Sequence, residues 1–389
     1  MRIKQYVSAL LIGLTTVGLV GCSGGADNKT INVGAILSLT GVLAHGGVDA
    51  RNALQLAVEE INASGGIKGR QVKLLVENTN TDPERTVSGA LKLANENKVL
   101  AIVGPDNSPT AFAARSQVAE PEHIVIMSVT GSSPKLTEGN PRWFFRGATP
   151  AEFQTKSLVQ YLVKEKGLKR FAILSDSGIT DQIESFTKDL KAMGLEPVAT
   201  EMFKSGQTNF NGPLLNIKSK NPEAIFFIGY ITEGASALTQ ARNLGVDARF
   251  LGSIGIIYDE FIKVAGKSSE GVIASIGFTA SNEAADVQKF VTAYKTKYNQ
   301  DPSHAAAQAY DQVNLIFQAI QNQNLTFDSA KVEQDRVMIR DYLEQVKNYK
   351  GITSMISYSP TDHSAYKDVN ILEVVNGKWK VIKHSGEAN

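Results

Sequence analysis

The chain has 389 residues, 42% hydrophobic and 20% charged, which is enough for two domains with sizeable cores and excludes a wholly disordered, collagenous or coiled-coil protein. Lysine and arginine total 40 against 39 acids, so no basic field is available to attract nucleic acid. A single cysteine excludes an intramolecular disulfide and any cysteine-rich metal site.

The chain opens on Met1-Arg2-Ile3-Lys4, a mostly apolar run over residues 7–20, and small residues before Cys22. This is the layout of a secretory signal peptide, and the run is too short to span a membrane comfortably. Leu19-Val20-Gly21-Cys22 resembles the lipobox of bacterial lipoproteins. The resemblance implies a signal peptide over residues 1–21, acylation of Cys22 and anchorage to the cell membrane. Residues 22–29 have no apolar period and read as a flexible tether. No later stretch reaches 18 uninterrupted apolar residues.

From Ile31 short β-rich runs alternate with amphipathic helices. A strand over residues 31–37 leads through Ser38-Leu39-Thr40-Gly41 into a helix over residues 48–62, whose Ala50, Leu54, Ala57, Val58 and Ile61 recur at helical spacing before Gly65-Gly66 ends it. Strands follow at 71–76, 99–103 and 124–127. Asp82-Pro83 and Ser108-Pro109 open the intervening helices in a cap-then-proline pattern, the second running through Val118. After about Gly147 the alternation resumes, with strands at 171–174, 197–202, 224–228, 250–251 and 272–276. This spacing predicts an α/β fold of parallel sheets with helices on both faces, and two such series predict two lobes. Residues 369–382 read instead as a hairpin turning at Asn376-Gly377.

Catalytic signatures do not assemble. Gly266-Lys267-Ser268 looks like the end of a phosphate-binding loop, but Phe261 stands where that motif needs its first glycine. No Gly-x-Gly-x-x-Gly follows the first strand, which argues against a dinucleotide site. The histidines at 45, 123, 304, 363 and 384 lack metal-ligand spacing. Ser132-Ser133-Pro134-Lys135 fits Ser-x-x-Lys without the companion motifs of penicillin-recognising enzymes. No cofactor, metal or enzymatic activity is therefore expected. What remains is a pair of small polar loops at the carboxyl ends of strands, where open α/β sheets bind ligands. In the first, around Asp106-Asn107-Ser108, Ser108 is expected to cap its helix, either as that alone or beside amide N–H groups that suit a carboxylate or phosphate. The second, Ser128-Val129-Thr130-Gly131-Ser132-Ser133-Pro134, is rich in hydroxyls at the equivalent place, its plainer reading being an ordinary Ser/Thr turn.

These residues also carry a resemblance. Ile31-Asn32-Val33-Gly34, Leu39-Thr40-Gly41 and Glu60-Ile61-Asn62-Ala63-Ser64-Gly65-Gly66-Ile67-Lys68-Gly69, followed by Thr81-Asp82-Pro83, Ile102-Val103-Gly104, Phe145-Arg146 and Ala309-Tyr310-Asp311, resemble the branched-chain amino-acid binding proteins of ABC importers, the type I periplasmic binding fold. The likeness covers nearly the whole chain after the leader. It implies two Rossmann-like lobes, one over residues 30–147 plus 278–355 and the other over 148–277 plus 356–389, with a ligand cleft between them. It further implies that Ser108, Thr130 and Ser132 hold a ligand carboxylate, that His45 lines the first lobe's rim, and that Thr180 and Tyr230 close over the ligand from the second. One position departs: Ile254 stands where the amino-acid binders carry an acid that pairs with the ligand ammonium. Either Asp106 or Glu233 replaces that acid, or the ligand lacks the ammonium; the bland reading of both is as solvated loop and helix-start acids. Weak or absent binding of leucine, isoleucine and valine is expected. The functional reading is a lipid-anchored extracytoplasmic receptor, monomeric, that captures an amino acid or related carboxylate by hinge closure and delivers it to an ABC permease and its ATPase. The alternative is a sensory or regulatory subunit of the same fold.

Overall fold

The first series of apolar runs forms a five-stranded sheet of β1 (Thr30–Leu37), β2 (Gln71–Asn78), β3 (Ala101–Val103), β4 (Val125–Ser128) and β5 (Phe144–Arg146), all parallel, in the order β2-β1-β3-β4-β5. The structure, a computed structural model, describes residues 30–364 and 369–385; the leader, Cys22 and the tether lie outside the described residues. Strands β3, β4 and β5 are buried along their whole length, which is why they carry no polar alternation. Strand β5 was not anticipated, because three residues are too few to show a period. The connections are α1 (Ala44–Ala63), α2 (Pro83–Leu91) and α3 (Ser108–Ala114), the last prolonged by a π turn to Ala119.

The second series forms β6 (Phe171–Asp176), β7 (Pro197–Phe203), β8 (Ala224–Ile228), β9 (Arg249–Gly252) and β10 (Ile273–Ile276), parallel in the order β7-β6-β8-β9-β10. They alternate with α4 (Ala151–Gln160), α5 (Asp181–Ala192), α6 (Asn211–Ser219), α7 (Ile231–Asn243) and α8 (Asp259–Ala265). The chain then returns to the first sheet. Helices α9 (Ala285–Tyr298) and α10 (His304–Asn322) pack on α1, and α11 (Val332–Leu343) packs on β4. After the short pair β11 (Tyr349–Lys350) and β12 (Met355–Ile356), the chain crosses again to add β13 (Val369–Val374) and β14 (Trp379–Ser385) antiparallel beside β10. The hairpin turns where expected: Asn376 and Gly377 have φ of 54° and 69°, values that suit this residue pair and fold Val374 onto Trp379.

In each sheet the strand order reverses beside a central strand, between β1 and β3 in one and between β6 and β8 in the other. Connections leaving such a reversal run to opposite faces, so a crevice opens at the carboxyl ends of those strands. No helix among the described residues is long and apolar enough to cross a membrane.

Candidate functional site

The two crevices meet in one cavity of about 310 Å³, bordered by both lobes. Its first-lobe wall is built at the β1/β3 reversal. Ser38, the residue after β1, donates its backbone N–H to Asp106 Oδ2 and its hydroxyl to Oδ1, each at 2.8 Å, tying the end of β1 to the loop after β3. Asp106 is buried, and burial pushes its carboxyl up to about 6 despite these donors. After β4, Thr130 donates its hydroxyl to the Asp106 carbonyl at 2.5 Å, and Ser133 donates its backbone N–H to Ser108 Oγ at 3.2 Å. From β5 the buried Arg146 guanidinium donates to the Ser133 carbonyl and to Ser364 Oγ, both at 2.5 Å. The bonds already made decide what is left for a ligand. Ser108 Oγ has accepted and keeps its proton to donate; Thr130 Oγ1 has given its proton and keeps acceptor capacity. The Ser132 hydroxyl lines the cavity without a protein partner among the described residues.

The second-lobe wall carries Thr180 after β6, Tyr230 after β8, and Ile254 and Tyr258 after β9. Neither tyrosine hydroxyl has a hydrogen-bond partner among the described residues, and burial pushes both phenols well above their ordinary range. Tyr258 reaches across to α1. A Cβ at Gly46 would lie 2.6 Å from its hydroxyl oxygen, so a larger residue there would displace the ring. His304, the first residue of α10, packs on Tyr258 with ring centroids 4.6 Å apart. It is buried with neither ring nitrogen making a well-formed hydrogen bond, and burial lowers it to about 3, opposed only by a poorly aligned hydrogen bond with the Ile257 backbone. The imidazole is therefore neutral. No lysine or arginine lines the cavity among the described residues. At its mouth Lys135 of the first lobe pairs with Asp181 at 3.0 Å and Glu184 at 3.1 Å on the second, so the two lobes touch there.

Ser108, Thr130, Ser132, Thr180, Tyr230, Ile254 and Asp106 all border this cavity. The structure corrects several expectations. Ser108 does not cap α3: the Asn107 carboxamide accepts the Thr110 N–H at 2.9 Å, starting the helix one residue later and releasing the Ser108 hydroxyl. His45 lies on the rim, as the resemblance implies, but does not border the cavity. Helix α1 turns Gly46 and Gly47 inward towards Tyr258 and Asp106, leaving His45 on the rim, 3.6 Å from Glu260, beside a separate cavity of about 150 Å³. Glu233 is neither solvated nor in the cavity; it is buried, accepting the Gly206 N–H at 2.8 Å. Asp106 is likewise no solvated loop acid. Tyr258, His304 and Leu43 also border the cavity and were not anticipated. Leu43 stands two residues from His45, within reach of a reading by position, but His304 gives no local signal because its place depends on how α10 packs against α1.

The periplasmic binding protein family profile matches residues 30–378. The leucine-, isoleucine-, valine-, threonine- and alanine-binding protein of Pseudomonas aeruginosa is 27% identical over 323 residues, 82% of this chain and 84% of that protein. The branched-chain amino acid transporter substrate binding protein LivJ of Streptococcus pneumoniae, solved in complex with isoleucine, has a TM-score of 0.83 at 29% identity, covering 92% of this chain and 99% of that one. A solute binding protein of an ABC transporter from Rhodopseudomonas palustris, in complex with 3,4-dihydroxybenzoic acid, shares the fold with a TM-score of 0.80 at 21% identity, over 92% and 97% of the two chains. With a family match across most of its length and two order reversals facing one interlobe cavity, this chain belongs to the periplasmic binding proteins, type I.

Proposed function

We propose that this protein is the extracytoplasmic solute-binding component of an ABC importer and that it captures an α-amino acid by closure of its two lobes. The observation that carries this reading is the adjacency of free donors and free acceptors at the β1/β3 reversal. Ser108 and Ser132 have hydroxyl protons to give a carboxylate, while the Asp106 carboxylate and the Thr130 oxygen can receive an ammonium. An α-amino acid presents both groups on one carbon. Asp106 takes the part of the acid missing at Ile254, since a desolvated ammonium without an anionic partner costs several kcal/mol. Relatives named for branched-chain amino-acid binding support the ligand class.

In this reading the lobes comprise residues 30–147 plus 278–355 and 148–277 plus 356–389, and the hinge lies in the three crossings. Thr180 and Tyr230 close over the ligand, which shifts the population from open to closed, the form the permease reads. The mature protein acts as a monomer held to the membrane through lipid on Cys22, and no covalent step is required.

The test is a thermal-shift panel pairing each amino acid with its deaminated analogue, followed by calorimetry on the hits. An amino acid bound at least about tenfold more tightly than its analogue is the expected result. Equal binding of both members removes Asp106 as the ammonium partner, and no binding anywhere in the panel sinks the receptor reading. Recovery of the wild-type protein wholly in the soluble fraction, with an unmodified amino terminus, removes the anchor alone.

A further inference from the structure

We propose that Tyr258 and His304 form a second polar subsite of the cavity, selecting an amino acid whose side chain carries an uncharged hydrogen-bonding group, a hydroxyl or a carboxamide. The inference rests on the amino-acid reading above and names the ligand more narrowly. His304 is 3% exposed, and neither ring nitrogen makes a well-formed hydrogen bond, the Ile257 backbone offering the imidazole only a poorly aligned one, although each nitrogen borders protein rather than bulk water. A buried polar group left without a partner is rare in folded proteins and calls for a ligand, an ion or a water to complete it. The Tyr258 hydroxyl, on the ring that His304 packs against, is also without a protein partner among the described residues. Both residues border the same cavity as Asp106 and Ser108. Two neighbouring groups with open hydrogen-bonding capacity thus face the volume that the side chain of a bound amino acid must fill.

The chemistry of the pair limits what fits. A neutral imidazole offers one donor and one acceptor, and a phenol offers one of each, so the pair satisfies a group that both gives and accepts. A second carboxylate on the ligand would meet no lysine or arginine. A cationic side chain would meet no free anion, since Lys135 holds Asp181 and the ligand's own α-ammonium takes Asp106. An aliphatic side chain would leave the imidazole unpartnered, which is the situation in which buried polar groups discriminate most strongly.

Calorimetry on the full-length wild-type protein with two near-isosteric pairs, threonine against valine and asparagine against leucine, tests this directly. In at least one pair the polar member should bind about tenfold or more tightly than its apolar partner. His304→Phe should bring that ratio close to one, mainly by weakening the polar member, with melting curves checking that the variant is folded. Tyr258→Phe keeps the ring in place against His304 and removes only the hydroxyl, so it should reduce the ratio severalfold even if the histidine variant fails to fold. No preference in the wild-type protein, or a preference that survives in both variants, overturns the subsite. If amino acids still bind better than their deaminated analogues, that failure leaves the amino-acid reading standing. Absence of binding by any amino acid overturns both together.

Discussion

On the first-lobe wall of the cavity, Asp106, Ser108 and Thr130 all make hydrogen bonds within the protein, whereas on the second-lobe wall the Tyr230 and Tyr258 hydroxyls make none. The difference follows from what each wall is made of. Loops after β1, β3 and β4 leave adjacent parallel strands side by side, so short polar side chains reach one another's backbone and fix each other. In the proposed function the second wall parts from the first when the cleft opens. Apolar and aromatic groups whose hydroxyls water can satisfy in the open form suit that movement, because no internal bond is broken. On that reading, one wall is set before the ligand arrives and the other responds to it.

The change expected to damage the fixed wall most is Asp106→Asn. Removing one member of a buried charge pair costs roughly 2–5 kcal/mol, so amino-acid binding should weaken by thirtyfold to several thousandfold in calorimetry. The variant also loses an acceptor for one Ser38 donor, which should lower unfolding stability by about 1–3 kcal/mol. The same carboxyl predicts a pH dependence. Because its folded value of about 6 lies above the ordinary 3.8, its contribution to the stability of the ligand-free protein is full below about pH 4 and is lost as pH rises through 6, a swing of about 3 kcal/mol. Ligand affinity should run the opposite way, falling up to about tenfold per unit as pH drops below 6, and Asp106→Asn should flatten that limb. Asp311, likewise raised to about 6 by burial, titrates in both proteins and leaves a common background in the stability curves.

Arg146→Met tests whether the wall is held from behind. The buried Ser133 carbonyl and Ser364 hydroxyl lose their charged donor, at a cost of about 3 kcal/mol in denaturant unfolding. Affinity should fall as well, since the loop carrying Ser132 is no longer pinned; unchanged affinity would show that the loop sets itself.

Ser108 and Asn107 separate binding from capping within two residues. Ser108→Ala should weaken binding by about 10- to 150-fold, the worth of a hydrogen bond to a charged group at roughly 1.5–3 kcal/mol, with little change in melting temperature. Asn107→Ala should do the reverse, lowering stability by about 1 kcal/mol through the lost cap. The smallest effect is expected at the mouth of the cavity, where Lys135 bridges the lobes. Lys135 is 44% exposed, so Lys135→Gln should change affinity by no more than a few-fold and should remove a modest salt dependence.

Much of this architecture was legible along the chain. The alternation of strands and helices, the hairpin at Asn376-Gly377 and the two hydroxyl loops after β3 and β4 all lie in local patterns, because strand burial, turn geometry and helix starts depend on neighbours a few residues away. The cap at Asn107 marks the limit of that locality. Asparagine and serine cap about equally well, so the residue type that pointed to Ser108 could not exclude its neighbour Asn107.

What the tertiary structure alone decided is the character of the cavity. Asp106 has the sequence surroundings of a surface loop acid, and it is buried because Ser38 and Gly47, brought in by β1 and α1, close over it. His304 opens a helix like any residue after a capping serine, and it enters the cavity only because α10 lies along α1 and Tyr258 reaches over from the other lobe. Glu233 reads along the chain as a solvated helix-start acid for the same reason. Desolvation and hydrogen-bond vacancy are set by atoms close in space and remote in sequence, and these two properties determine which polar side chains are left for a ligand.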